Sequence, residues 1–246
     1  MTTKPIRYGI VGLGRSGWDI HVKDLRHHDD AEVAAVVDPV LERREEATRE
    51  FGCPAYERLS AMLKEADLEV TVIATPSMRH ATDTIEALRA GKHVVVEKPM
   101  AMNVREADRM IAAAQQAGQQ LFIHHNYRFN RTVTHLLEVA RSGLIGRLYH
   151  VCSYQGNFAR RNDWQTLSKN GGGVLNNTCP HEIDILLQLM GGPVVDVMGD
   201  LQQIASAGDV EDHVKAFLRA SNGCTADMEI TTSQDVATQM PRWILC

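Results

Sequence analysis

Ile6-Arg7-Tyr8-Gly9-Ile10-Val11-Gly12-Leu13-Gly14-Arg15-Ser16-Gly17 is the stretch whose reading decides the fold. A short β-branched-rich run breaks into Gly-x-Gly-x-x-Gly and then turns helical, and this order of strand, glycine turn and helix gives the spacing its meaning. Gly12 permits the tight turn, Gly14 lets the backbone approach a pyrophosphate, and Gly17 lets the helix pack on the strand. Backbone amides across Leu13, Arg15 and Ser16 would then face the diphosphate at the helix N-terminus. Asp38 closes the next apolar run, about twenty residues on, where a carboxylate holds both ribose hydroxyls of NAD and repels a 2′-phosphate. Arg43 and Arg44 follow one turn later and soften that preference, so NAD is expected ahead of NADP.

Outward from this stretch, the first half alternates brief apolar runs with helical spacing. Residues 33–37, 70–74, 94–96 and 121–123 read as strands, and 42–51, 79–90 and 104–117 as helices, with Gly52, Gly91 and Gly118 where C-terminal caps belong. Continuously apolar strands alternating with helices imply a parallel sheet covered on both faces, hence a Rossmann-type α/β domain over residues 1–124. From Asn126 the pattern changes. A helix over 132–142, a strand over 149–154, a helix over 181–190 and three strands (194–204, 213–220, 225–232, the last two joined by an Asn222-Gly223 turn) predict an α+β domain over 125–246 with a mainly antiparallel open sheet. The apolar ending Pro241-Arg242-Trp243-Ile244-Leu245-Cys246 reads as an edge that a longer chain or a partner subunit would cover.

The chain has 246 residues and a formal net charge of −5, a balance that argues against a nucleic-acid or membrane-surface partner. Its five cysteines are scattered without a Cys-x-x-Cys pair, which points to reduced thiols, no zinc site and a cytoplasmic location. No apolar run is long enough to span a bilayer, and Met1-Thr2-Thr3-Lys4 passes almost directly into a strand, leaving no room for a signal peptide.

Two further motifs carry chemistry. Ala90-Gly91-Lys92-His93-Val94-Val95-Val96-Glu97-Lys98-Pro99 sets Lys98 at the end of a buried parallel strand, where doubly wound sheets keep their ligands. A lysine there can hold its charge near a substrate oxygen or shift its pKa and exchange a proton. His181 and Asp184 lie three apart on one helical face after Gly171-Gly172-Gly173, and histidine accepts protons near neutral pH. As a metal pair they lack a third ligand at a usual spacing, so no metal is expected.

With Gly12 to Gly17, Ala74-Thr75-Pro76 with His80, Glu97-Lys98-Pro99, Asn126-Tyr127-Arg128-Phe129 and Gly171-Gly172-Gly173…His181-Glu182-Ile183-Asp184 in this order, the chain resembles the glucose–fructose oxidoreductase / inositol dehydrogenase / MocA-type family over nearly its whole length. The resemblance implies NAD(P)-dependent hydride transfer at a hydroxyl-bearing carbon of a sugar, cyclitol or polyol, and an open C-terminal sheet that assembles a homo-oligomer. It makes His181 the general base and Lys98 the residue that binds the same oxygen. Thr75, Pro76, His80, Glu97 and Asn126 would line the nicotinamide half of the cleft, and Arg128, Arg160, Trp164 and Asn176 would contact substrate. Asn177 stands where many relatives carry an aspartate, and it can orient substrate or histidine without ionising. Relatives also usually continue past Trp243. Asn177 and the short C-terminus leave a second reading, a non-catalytic dinucleotide-binding sensor, and reduction of an unsaturated or imine-type substrate is a third.

Overall fold

The computed structural model describes residues 4–234 and 241–246; the reading of Met1-Thr2-Thr3 lies outside them. The chain divides into two compact units, Met1–His124 and His125–Cys246.

The first unit is built on six parallel strands: β1 (Ile6–Val11), β2 (Ala31–Val37), β3 (Ala55–Tyr56), β4 (Val70–Ile73), β5 (His93–Glu97) and β6 (Leu121–His124), in the order β3-β2-β1-β4-β5-β6. Successive residues of one strand feed opposite faces. Val72 packs with Ile10 and Val36, while its neighbour Ile73 packs with Val11, Val94 and Val96, which is why these strands are apolar without alternation. The crossovers are a helical segment ending in α1 (Lys23–Leu25), α2 (Leu41–Phe51), α3 (Leu59–Glu65), α4 (His80–Arg89) and α5 (Val104–Ala117). Strand order reverses between β1 and β4, and in such sheets that reversal opens a crevice at the carboxyl ends of the strands.

Three local features depart from the sequence reading. The helix after the glycine turn begins as a π-helical segment, Ser16–Val22, whose end is marked by the Lys23 amide reaching the Trp18 carbonyl; His21 is buried there. The brief α3 and the two-residue β3 carry too few residues to show a period, and neither was expected.

The second unit contains α6 (Arg131–Arg141), β7 (His150–Gly156), α7 (Val174–Asn177), α8 (Cys179–Met190), β8 (Val194–Gln202), β9 (His213–Ala220), β10 (Thr225–Thr231) and β11 (Trp243–Leu245). Its sheet runs β11-β7-β10-β9-β8. The expected antiparallel pairing holds for β8–β9, β9–β10 and β7–β11, but β10 pairs β7 in parallel across seven positions, so the sheet is mixed. One face is packed by α8, with Ile185, Leu186 and Met190 on Val151, Val214, Ala226 and Met228. The edge strand β8 leaves Val195, Val197, Met198 and Leu201 exposed. Among the described residues, no helix is long and apolar enough to cross a membrane.

Candidate active site

The glycine turn is held by sterics and by one buried carboxylate. Gly12 has φ +91°, and a Cβ on it would lie 2.7 Å from the Ala74 carbonyl oxygen. A Cβ on Gly17 would lie 1.8 Å from the Gly12 oxygen, so the helix approaches the turn as closely as backbone allows. Gly14 is different: nothing stands within 4 Å of where its Cβ would be. Asp38, 2% exposed, accepts the Leu13 amide through Oδ2 (2.8 Å) and the Val40 amide through Oδ1 (2.9 Å). Arg43 approaches Oδ2 at 3.3 Å, and Arg44 donates to the Asp38 carbonyl at 2.7 Å. Leu13 buries its side chain in the core, Arg15 is exposed and Ser16 half-buried. A pinned turn whose middle glycine faces open space, with a carboxylate at the end of β2, fits a dinucleotide.

At the ends of β4 and β5, Thr75 donates to Asp83 (3.0 Å), which is 1% exposed and also takes two hydrogen bonds from Arg79. Pro76 opens the short 3₁₀ turn Ser77–Arg79. His80 is 1% exposed, its Nε2 2.8 Å from the Thr75 carbonyl and its Nδ1 2.7 Å from the Pro99 carbonyl, so its ring ties the loops after β4 and β5 together. Lys98 is half-buried at the end of β5, before a cis Lys98–Pro99 peptide. Glu97 is buried against His21 and His124, at 2.7 and 2.9 Å. Burial pushes its carboxyl up, but the hydrogen bonds and charges of the two histidines outweigh this and hold it well below the usual carboxylate range.

In the second unit the His181 ring stacks on Tyr127 at 4.0 Å and 19°, with His125 at 5.3 Å. Asp184 sits on the same helix and accepts a fork from Arg128 (Nε–Oδ2 2.8 Å, Nη2–Oδ1 2.5 Å), a bond from Gln188 (3.0 Å), and lies 3.8 Å from His125 Nδ1. Burial raises its carboxyl, and Arg128 and His125 more than offset that, leaving it below its ordinary value. Asp184 therefore organises Arg128 and His125 around the helix that carries His181. Asn126 is exposed beside Tyr127. Asn177 accepts from Gln165 at 3.2 Å and lines a polar cavity of about 210 Å³ with Gln155, Asn157, Arg161 and Glu211. Asn176 donates to the Gly172 carbonyl, and the exposed Arg160 and Trp164 do not line this cavity. Burial, with the Glu211 and Glu182 charges, pushes the Cys179 thiol up to about 12, so it is no nucleophile.

His21, His125 and Tyr127 were not among the expected site residues. For the latter two the signal was available: His124-His125-Asn126-Tyr127-Arg128 crowds polar and aromatic groups after the last parallel strand, where ligands collect.

The family model described as "Oxidoreductase family, NAD-binding Rossmann fold" matches residues 6–125, and the GFO/IDH/MocA C-terminal domain matches 133–244. A solved NAD-binding protein from Listeria innocua is 31% identical with a TM-score of 0.91, covering 99% of this chain and 71% of that one. The chain belongs to the Gfo/Idh/MocA oxidoreductase family. Other Gfo/Idh/MocA relatives include 1-carboxy-3-chloro-3,4-dihydroxycyclohexa-1,5-diene dehydrogenase of Comamonas testosteroni, 34% identical over 91% of this chain and 57% of that protein. Myo-inositol 2-dehydrogenase of Thermotoga maritima is 30% identical over 89% of this chain and 66% of that protein. The WlbA dehydrogenase of Bordetella pertussis, solved with NADH and UDP-GlcNAcA, is 31% identical with a TM-score of 0.89, covering 95% of this chain and 69% of that one. The chain spans from over half to about two thirds of the length of these two curated relatives.

Proposed function

We propose that this chain carries the hydride-transfer machinery of an NAD(P)-dependent oxidoreductase acting on a hydroxyl-bearing carbon of a sugar, cyclitol or related polyol. The observation that carries the reading is the turn of residues 12–17, closed by sterics at Gly12 and Gly17 and, of its three glycines, open at Gly14. Bound there, the nicotinamide dinucleotide supplies a carbon that accepts or returns hydride. Gly14 and the neighbouring amides receive the diphosphate, and Asp38 receives the ribose hydroxyls through oxygen lone pairs its two backbone partners leave available. Arg43, 3.3 Å from that carboxylate, makes the preference for NAD over NADP a moderate one. Thr75, Pro76, Lys98 and Asn126 are the proposed nicotinamide-side contacts, with His80 and Glu97 supporting them from within.

Lys98 offers a positive charge to the oxygen on which negative charge develops, and His181, 9% exposed and fixed by stacking on Tyr127, accepts the hydroxyl proton. Asn177 orients rather than ionises. Arg128, Arg160, Trp164 and Asn176 are carried as substrate contacts on the family resemblance; Arg128 enters it already paired to Asp184. The cyclitol in the name of the Thermotoga maritima dehydrogenase and the UDP-GlcNAcA bound to the Bordetella pertussis dehydrogenase support this substrate class. The sensor alternative is disfavoured because Lys98 and His181 are both present and the two curated relatives named above are dehydrogenases. We further propose a cytoplasmic homo-oligomer, supported by five free thiols and by the exposed apolar residues of β8.

Calorimetric titration with NADH and separately NADPH, followed by a polyol and sugar screen reading reduced nicotinamide absorbance, tests the reading. Tight NADH binding and weaker NADPH binding, with turnover on at least one polyol, are expected. Lys98→Ala should abolish that turnover and leave NADH affinity within a few-fold. Binding of neither cofactor would withdraw the enzyme assignment.

A further inference from the structure

Three side chains from three separate elements of the first unit converge: His21 in the π-helical segment, Glu97 at the end of β5 and His124 at the end of β6. His21 Nε2 lies 2.7 Å and His124 Nδ1 2.9 Å from the same carboxylate oxygen, Glu97 Oε1. All three ligand atoms fall within 4.8 Å of one another, and the rings are 4.5 Å apart. Among the described residues this is the one such grouping of three His, Cys, Asp or Glu side chains.

A hydrogen-bonded knot accounts for the short distances, but two features go further. The imidazoles address one oxygen instead of dividing the carboxylate between them, which gathers one donor atom from each of three separate elements at one place. The His21 and Glu97 side chains are each 8% exposed while His124 is 25% exposed, so the cluster is closed on the protein side and open on one side to water. Tetrahedral zinc with two imidazoles and a carboxylate has metal–ligand distances near 2.0–2.2 Å and hence ligand atoms about 3.3 Å apart. The two nitrogen–oxygen distances, 2.7 and 2.9 Å, need to widen by roughly half an ångström to reach that. Magnesium and calcium prefer oxygen donors, so a nitrogen-rich set selects against them.

We propose that His21 Nε2, His124 Nδ1 and Glu97 Oε1 form a binding site for a zinc-class divalent transition metal, with water as the fourth ligand. Such an ion would lock the helical segment after the glycine turn to the ends of β5 and β6, fixing the backbone on which Lys98 stands. It takes no part in the proposed hydride transfer, and metal binding is measured without cofactor or substrate.

The 246-residue chain, stripped with chelator and dialysed, is titrated calorimetrically with zinc chloride and with magnesium chloride. One equivalent of zinc, no magnesium, and a zinc-dependent rise in thermal midpoint are expected. His124→Asn, at the most exposed ligand, should fold as judged by circular dichroism and lose zinc affinity by more than the roughly 100-fold that removal of an outer-shell partner costs. His21→Asn gives a second test of the same loss. Cobalt in place of zinc should give visible d–d bands without thiolate charge transfer. No zinc uptake, equal uptake by His124→Asn, or a thiolate band would overturn the assignment and leave the cluster as a hydrogen-bonded brace.

Discussion

At the residue scale, the three glycines of the cofactor turn separate folding from binding. Gly14→Ala meets nothing within 4 Å and should leave the thermal midpoint unchanged while weakening NADH at least about tenfold, because the methyl group takes the space of the diphosphate. Gly17→Ala drives a methyl group into the Gly12 oxygen and should destabilise the fold by several kcal/mol, on the scale of severe overpacking. Equal NADH affinity in Gly14→Ala and the parent chain would refute the assignment of the turn. Asp184 supplies a pH test. Its folded-state pKa is depressed, so its contribution is present above the unfolded value near about 3.9 and fades as pH drops below that toward the folded value. Asp184→Asn should flatten the loss of urea midpoint below about pH 4; an acid limb as steep as that of the parent chain would count against the Arg128 pairing. The steric demands of the glycine turn and the place of Asp38 after β2 were legible because they are local and their spacing fixed. The Glu97 cluster was not, because its members are 76 and 27 residues apart in sequence.

At the scale of elements, α8 shows how a buried charge is held. Glu182 is 0% exposed and accepts from Ser153 of β7 (3.0 Å) and from Arg242, just before β11. Arg242→Ala leaves that buried carboxylate with the Ser153 hydroxyl but no countercharge from Arg242, and with the arginine half-exposed a loss of about 1–3 kcal/mol in chemical denaturation is expected. Arg242→Ala combined with Glu182→Gln should cost less than the sum of the two single changes. Additive losses would show that the pair does not interact. Element boundaries were readable where caps were strong. The helix expected over 104–117 is α5 itself, because Asn103 accepts the Glu106 amide at one end and Gly118 takes a left-handed turn at the other. The parallel pairing of β7 and β10 was not readable, since each strand alone shows only its own period and nothing of its neighbour's direction.

For the molecule as a whole, the proposed chemistry draws on residues of both units, and each unit has its own core. NADH should therefore slow hydrogen exchange at the amides of residues 12–17 and at Asp38 in the first unit, while leaving the β9 and β10 amides of the second near their starting rates. Uniform protection of both units would contradict that independence. Light scattering tests the proposed oligomer: Met198→Lys, on the exposed edge strand, should lower the apparent mass without altering NADH affinity, whereas an unchanged mass would remove β8 from the interface.

The neighbours of β7 also set a timetable for synthesis. His150 is matched with Thr225, 75 positions later, and Cys152 with Ile244, so β7 waits for β10 on one side and for the still later β11 on the other. On the ribosome the first unit can close as soon as β6 emerges, whereas the second holds β7 as an open strand, exposed to chaperones and to other nascent chains, until β10 and β11 have followed it.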